Sequence, residues 1–255
     1  DALLTGGARR HGERVWVESV EPRRRLTWGE ADRACHRVAH FLADRGVRAG
    51  DRVSVLAGNG LELLILFLGV QRYGAAVNPL NVEVSAKNLA QILHDVEPRL
   101  VLFDRTLPDE IRTLAARAGG ESFAFGEDGG DDPGSGFGLG PLLARYPPSP
   151  RAGRVGDGEA VAVIDYTSGS TSTPKGVCIS HGAFALMGDG VARRFGVREG
   201  ERVLECRSIT WASPQLFAVA ATLHGGAGLV LARRFSRSRF FDWIRHHRVT
   251  IAVGV

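Results

Sequence analysis

The stretch Asp165 to Ser180 reads DYTSGSTSTPKGVCIS. Every residue from Thr167 to Pro174 is Gly, Ser, Thr or Pro, and Lys175 follows. A polyphosphate needs hydrogen-bond donors, room for close approach and positive charge. Gly169 and the small side chains let backbone N–H groups come close. Thr167, Ser168, Ser170, Thr171, Ser172 and Thr173 offer hydroxyls, and Lys175 offers an ammonium. Hydrogen bonds to a charged group contribute about 1.5–3 kcal/mol each, so a few would hold a nucleotide tail. Composition alone fits a polar turn without a ligand equally well. The apolar runs on both sides favour a loop anchored in a sheet.

Lysine usage sharpens this. The chain has 30 arginines but only two lysines, Lys87 and Lys175. A lysine kept inside a Gly/Ser/Thr loop, against that bias, indicates a need for a compact charge on a flexible stem rather than a planar fork.

The loop is not a P-loop. That pattern, GxxxxGK[ST], runs from a strand directly into a helix. Here Pro174 stands where its second glycine belongs, and Gly176 where its Ser or Thr belongs. The next segment, GVCIS, reads as a strand, with a helix only from about Gly182. The SxxK of penicillin-recognising enzymes fits Ser172 to Lys175 in letters, but it opens a helix, which Pro174 and the following strand disfavour.

The elements around the loop alternate. LTWGEADRACHRVAHFLADRG reads as a helix with Thr27 as N-cap and Glu30 completing a capping box. Ala31, Ala34, Val38, Phe41 and Leu42 form its apolar stripe, and Gly46 closes it. Strands are expected at RVSVLA, AAVNPL and RLVLFD, with helices at Leu61–Gly74, Ser85–Val96 and PDEIRTLAARAG between and after them. GEDGGDDPGSGFGLG, Gly126 to Gly140, reads as a loop or disordered linker. Strands AVAVIDY, RVLECR, GLVLAR and VTIAVGV then alternate with helices HGAFALMGDGVARRFG, PQLFAVAATLHGG and SRSRFFDWIRHHR. This order predicts an α/β fold with largely parallel sheets flanked by helices. The expected division is 1–125 as a first α/β region, 126–158 as linker, and 159–255 as the phosphate loop and the start of a second α/β region.

Tyr166-Thr167-Ser168-Gly169-Ser170-Thr171-Ser172-Thr173-Pro174-Lys175-Gly176, with His181 beyond, resembles the signature [YF]-T-S-G-[ST]-T-G-x-P-K-G of the adenylate-forming superfamily. Ten of the eleven positions fit. The segments from LTWGEADRACHRV to NGLE and from YGAAVNPLN to VLFD are similar to family blocks. HGGAGLVLARRF onward resembles the acyl-CoA synthetases in particular. The resemblance implies the large N-terminal domain of an enzyme that activates a carboxylate with ATP, giving acyl-AMP and pyrophosphate and then a coenzyme A thioester, as in fatty acid metabolism. It implies ATP, Mg²⁺ and coenzyme A as cofactors or co-substrates, with a small-molecule carboxylic acid as partner, and it allows a homodimer. Thr167, Ser168, Ser170, Thr171 and Lys175 inherit the phosphate contacts. Gly169 and Gly176 supply backbone freedom, and Ser172 and Thr173 complete the loop.

Ser172 departs from the family's glycine. If that position needs positive φ, serine there costs about 1–2 kcal/mol. Ser208-Ile209-Thr210-Trp211 departs from the P-x-F-H that acyl-CoA synthetases often carry, in which the histidine or an aromatic lies near the acyl pocket; Trp211 would fill more volume than histidine. Trp211 and Gln215 are the acyl-pocket candidates, with plain core packing an equal reading of Trp211. The family's Mg²⁺ glutamate, ribose aspartate and catalytic lysine have no match before Val255. The catalytic residues are therefore unknown and expected beyond it. The chain starts without methionine and stops inside an apolar run, so it is expected to be part of a longer protein and inactive alone. An amino-acid or aryl-acid adenylation domain and a non-catalytic carboxylate-binding relative or scaffold remain alternatives.

Bulk properties narrow the classes. The 255 residues are 44% hydrophobic and 24% charged, ordinary globular values, with a net charge of +4. Arg23-Arg24-Arg25 and Arg233-Arg234 are short clusters that read as solvated surface, not as a nucleic-acid stripe. Cys35, Cys178 and Cys206 form no metal spacing and read as reduced, buried thiols of a cytoplasmic protein. His224, His246 and His247 have no carboxylate or cysteine at ligand spacing, so no metal site is expected. His181 reads as structural rather than as a base. The longest apolar stretch, Leu61 to Val70, is shorter than the roughly 20 residues of a membrane span.

Overall fold

The computed structural model describes residues 2–126, 138–151, 157–167 and 174–253. The chain forms two compact units: Asp1–Arg33 with Asn59–Leu61 and Gly182–Val255, and Ala34–Gly58 with Glu62–His181. Residues 159–181 thus group with strands of the expected first region rather than with the segment that follows them. The reason is strand pairing, set out next.

The second of these units holds, among the described residues, a six-stranded sheet. Its strands are β3 (Arg52–Leu56), β4 (Ala76–Leu80), β5 (Leu100–Asp104), β6 (Glu121–Phe125), β7 (Val161–Tyr166) and β8 (Gly176–Ser180), in the order β6-β5-β3-β4-β7-β8. All neighbours are parallel except β7 and β8, which are antiparallel. Helices α4 (Ala86–Val96) and α5 (Asp109–Arg117) cover one face. Leu89, Ile92, Leu93 and Val96 of α4 and Ile111 and Ala115 of α5 pack on Leu56, Leu80, Val101 and Ile164. Each fully buried large side chain contributes about 1.5–3 kcal/mol relative to exposure. Ser85 caps α4, its hydroxyl accepting from Asn88 N.

Helix α2 (Trp28–Asp44) begins and ends as its sequence dictates. Thr27 N–H donates to Glu30 at 2.8 Å and Glu30 N–H to Thr27 Oγ1 at 3.1 Å, a capping box. Gly46 takes φ +65°, and Val47 N–H returns to Leu42 O at 3.0 Å. Ala31, Ala34, Val38, Phe41 and Leu42 are all buried. Helix α3 (Leu61–Tyr73) is buried at Leu61 and without a break from Leu63 to Arg72, which explains its nearly unbroken apolar run.

The ends of the Gly/Asp-rich segment are joined: Gly126 N–H donates to Gly138 O at 2.8 Å. A short helix, α6 (Gly140–Leu143), follows. Arg37 donates to Leu143 O and Ala144 O, and Tyr146 O–H to Asp44 at 2.6 Å. Residues 138–146 of the expected linker are therefore docked, with Leu139 and Leu143 buried, because they do carry apolar anchors.

The other unit holds, among the described residues, a five-stranded sheet ordered β11-β9-β10-β1-β2. Its strands are β1 (Val15–Val20), β2 (Arg23–Thr27), β9 (Arg202–Glu205), β10 (Gly228–Leu231) and β11 (Ile251–Ala252). The hairpin β1–β2, helix α1 (Ala2–His11) and strand β6 have no counterpart among the elements expected from the sequence. Helices α7 (His181–Phe195), α8 (Ala212–Pro214), a π-helical stretch Gln215–Ala220, α9 (Ala221–Gly225) and α10 (Phe240–His246) complete the described elements. Trp243 packs with Val20, Leu204, Cys206 and Val230.

Arg23 and Arg25 are solvent-facing, as expected, but both also pair with buried Glu18, through contacts of 2.9 and 3.0 Å. Arg202 reaches Glu18 at 2.8 Å and His247 Nδ1 lies 3.3 Å away. Cys35 and Cys206 are buried. Cys178 is exposed, against expectation, because β8 is an edge strand.

Candidate functional site

The phosphate-loop candidate rises from the β7–β8 hairpin. Asp165 pairs with Val177 and Tyr166 with Gly176. One step further, Thr167 N–H donates to Lys175 O at 3.1 Å and closes the stem. Thr167 and Lys175 are thus neighbours across the stem, and both are exposed. Ser168, Gly169, Ser170, Thr171, Ser172 and Thr173 lie outside the described residues. The strand after the loop is real, so the P-loop context is absent.

Three features fix the stem. A Cβ on Gly176 would lie 3.2 Å from Tyr166 Cζ, so the tyrosine ring covers the glycine backbone. Tyr166 O–H donates to the Asp95 carboxylate at the end of α4. Burial and then Asp95 push the phenol well above its ordinary value, so Tyr166 remains a neutral donor. Beneath β7, Ser54 donates to Asn78 Oδ1 at 3.0 Å and Asn78 Nδ2 donates to Ile164 O at 2.8 Å. Pro79 brings no N–H to the ladder, and β4–β7 pairing is confined to Val77 and Val163. The Asn78 amide therefore supplies a link between β4 and β7 that Pro79 cannot.

His181 stands at the other end of β8. Five residues at about 3.4 Å each put roughly 17 Å of strand between Gly176 and His181. Burial lowers its pKa below the ordinary value, and its N–H on the main chain donates to Ala160 O at 3.0 Å. That geometry fits a structural role at the strand-to-helix junction.

Trp211 and Gln215 belong to the other unit, past the C-terminal end of β9. Glu205 is fully buried. Arg207 forks onto it, Nε to Oε1 at 2.9 Å and Nη2 to Oε2 at 2.7 Å, and this raises the Arg207 pKa. Burial likewise pushes the Cys206 thiol up, which makes it inert. Trp211 N–H donates to Ser208 O at 3.2 Å, and Gln215 N–H to Trp211 O at 3.3 Å. Trp211 is 37% exposed, so it is not a core side chain, whereas Gln215 is fully buried at the start of the π-helical stretch. Asn59, buried in the same unit, bonds to this loop. Sequence reasoning missed Asn59, Asn78 and Asp95. Polar residues inside the apolar runs AGNGLELL and AAVNPL were the only signal available for the first two.

Among the described residues, no group of three or more His, Cys, Asp or Glu could hold a metal ion. Among them, too, no helix is long and apolar enough to cross a membrane.

Largely parallel sheets flanked by helices, with a Ser/Thr/Gly/Lys loop on an antiparallel hairpin, define the class. The AMP-binding enzyme family matches residues 4–255, and the chain belongs to that family, within the adenylate-forming superfamily. It is 28% identical over 240 residues to nonribosomal peptide synthetase vlms of Lecanicillium sp, covering 89% of this chain and 2% of that protein. It is 29% identical over 242 residues to the 4-hydroxybenzoate–CoA/benzoate–CoA ligase of Rhodopseudomonas palustris, covering 94% of this chain and 44% of that one. Its fold matches ATP-bound MatB from Rhodopseudomonas palustris with a TM-score of 0.85 at 24% identity, over 99% of this chain and 48% of that one. The chain thus spans less than half the length of each of these proteins.

Proposed function

We propose that this chain carries the phosphate-binding part of an ATP-dependent carboxylate-activating ligase. The supporting observation is the Thr167–Lys175 stem, which closes on a loop of hydroxyls and glycine next to one of only two lysines. In the reaction, a carboxylate oxygen attacks the α-phosphorus of ATP, the bond to the β-phosphate breaks, and pyrophosphate leaves. A thiol then attacks the acyl carbon, and AMP departs with the carbon–oxygen bond electrons. The chain's part is to hold the β- and γ-phosphates. Lys175 offsets their charge, while Thr167, Ser168, Ser170, Thr171, Ser172, Thr173 and the backbone at Gly169 donate to their oxygens. Gly176 lets Tyr166 close over the stem. Trp211 faces the acid; Gln215, the other acyl-pocket candidate, is fully buried at the start of the π-helical stretch. The described residues contain no cluster of three or more His, Cys, Asp or Glu, and the phosphate contacts proposed for this chain are made by its own hydroxyls, backbone and Lys175.

Coenzyme A is our first choice of thiol, because the segment after Arg207 resembles acyl-CoA synthetases. Likeness to a peptide synthetase keeps a second reading, transfer of an amino or aryl acid to a carrier thiol.

Lysine acylation tests the nucleotide assignment. Lys87 and Lys175 are both exposed, so Lys87 is an internal control. At ATP roughly ten times its dissociation constant, acylation of Lys175 should slow about tenfold, with Lys87 unchanged. Equal rates at Lys175 with and without ATP would refute the assignment.

A further inference from the structure

We propose that Asn59 is a positioning residue that fixes the loop bearing Trp211 and so sets how the acid is met. This rests on the reading of Trp211 as an acid-facing side chain. Asn59 is 8% exposed and belongs to the same unit as the loop. Its Nδ2 donates to Arg207 O at 3.1 Å and to Ala232 O at 2.7 Å, and its Oδ1 accepts from Ile209 N at 3.1 Å. Both amide hydrogens are therefore used. The three partners lie just past the C-terminal ends of β9 and β10, where Ala232 N–H makes a ladder bond to Glu205 O at 2.9 Å. Beyond that bond, parallel strands separate, and ligand crevices open outside their carboxyl ends. Asn59 continues the ladder with a side chain and joins the two strand ends to the loop.

A second tie holds the far side of Trp211. Arg207 Nη1 donates to Ser213 Oγ at 3.1 Å, while the rest of its guanidinium is clamped by buried Glu205. Ser208 accepts from Trp211 N at its carbonyl and from Thr210 N at its hydroxyl. The main chain on both sides of Trp211 is thus fixed by a buried amide and by a half-buried ion pair whose carboxylate is fully buried. The indole itself is left over a third exposed. Buried polar groups are costly unless fully paired. Here that pairing converges on one surface aromatic and holds it ready for contact, as a binding site requires.

Fluorescence tests this without any substrate. Trp16, Trp28 and Trp243 are buried, so red-edge excitation and acrylamide quenching report on Trp211, with Trp211→Phe as blank. In the intact protein, Asn59→Ala and Ser213→Ala should each raise the Trp211 quenching constant about twofold as the loop loosens. Val230→Ala, in the core of β10, should lower the melting temperature and leave quenching unchanged. An unchanged constant in Asn59→Ala, or an equal rise in Val230→Ala, overturns the proposal. If Asn59→Ala does not fold, Ser213→Ala, which removes one hydrogen bond, decides by the same criterion. Quenching is independent of catalysis, so its failure is distinct from failure of the ligase reading. In turnover, the same two variants should raise KM for the acid and leave KM for ATP. An equal rise in both refutes positioning.

Discussion

Replacing Glu18 by glutamine keeps the shape of the side chain and removes its charge. Glu18 is 2% exposed and faces Arg23, Arg25, Arg202 and His247. Burial alone would raise its pKa. Hydrogen bonds from Arg23 and Arg25 and the charge of His247 outweigh that and lower it from 4.5 to about 2. The folded-state value lies below the unfolded one, so ionised Glu18 stabilises the fold fully above about pH 4.5. That contribution is lost as pH falls toward 2. A tenfold change in proton affinity corresponds to about 1.4 kcal/mol, which puts the contribution at about 3 kcal/mol. Arg23 and Arg25 are half exposed and screened by solvent, so about 2–3 kcal/mol is the expected difference. For a chain of this size that is a fall of roughly 4–12 °C in melting temperature for Glu18→Gln at pH 7. Thermal unfolding followed at pH 7, 4 and 2.5 reads it directly. The gap between wild type and variant should be largest at pH 7, about three quarters of that at pH 4, and about a quarter of it at pH 2.5. A gap that is constant across that range, or below about 0.5 kcal/mol at pH 7, would show that the ion cluster does not hold the β1–β2 hairpin to β9.

Two further changes probe the loop stem. Asn78→Ala leaves Ser54 and the Ile164 carbonyl without their partner in a fully buried place, and should cost about 2–4 kcal/mol in urea unfolding. A loss under 1 kcal/mol would mean that water or a neighbour replaces the amide. Gly176→Val puts side-chain atoms against the Tyr166 ring, which already lies 3.2 Å from the position of a Cβ. The strain of about 1–3 kcal/mol should weaken ATP protection of Lys175 roughly tenfold or more. Unaltered protection would separate the ring contact from nucleotide binding.

The local elements follow from the residues along the chain. Thr27, Glu30 and Gly46 delimit α2 because a capping box and a left-handed glycine act within a few residues. The alternation of apolar runs set the largely parallel α/β class. The loop was legible because its chemistry is contiguous: Thr167, Lys175 and Gly176 are close in sequence before they are close in space. The hairpin β1–β2 escaped because Arg23–Arg25 looks like surface unless Glu18, on the neighbouring strand, is known to be buried. The exposure of Cys178 escaped because edge position is a property of the whole sheet.

Folding in three dimensions was needed to place Asn59 beside Arg207, Ile209 and Ala232, residues about 150 or more positions away. It likewise set Asp95 against the Tyr166 hydroxyl and Asn78 against Ile164. Such partners are chosen by the crossing of distant strands and helices, and a single polar residue in an apolar run carries no mark of which carbonyl it will meet. Periodicity and capping are local physics and can be read along the chain. The pairing of buried polar groups depends on the final packing, because only there does losing water make each partner necessary.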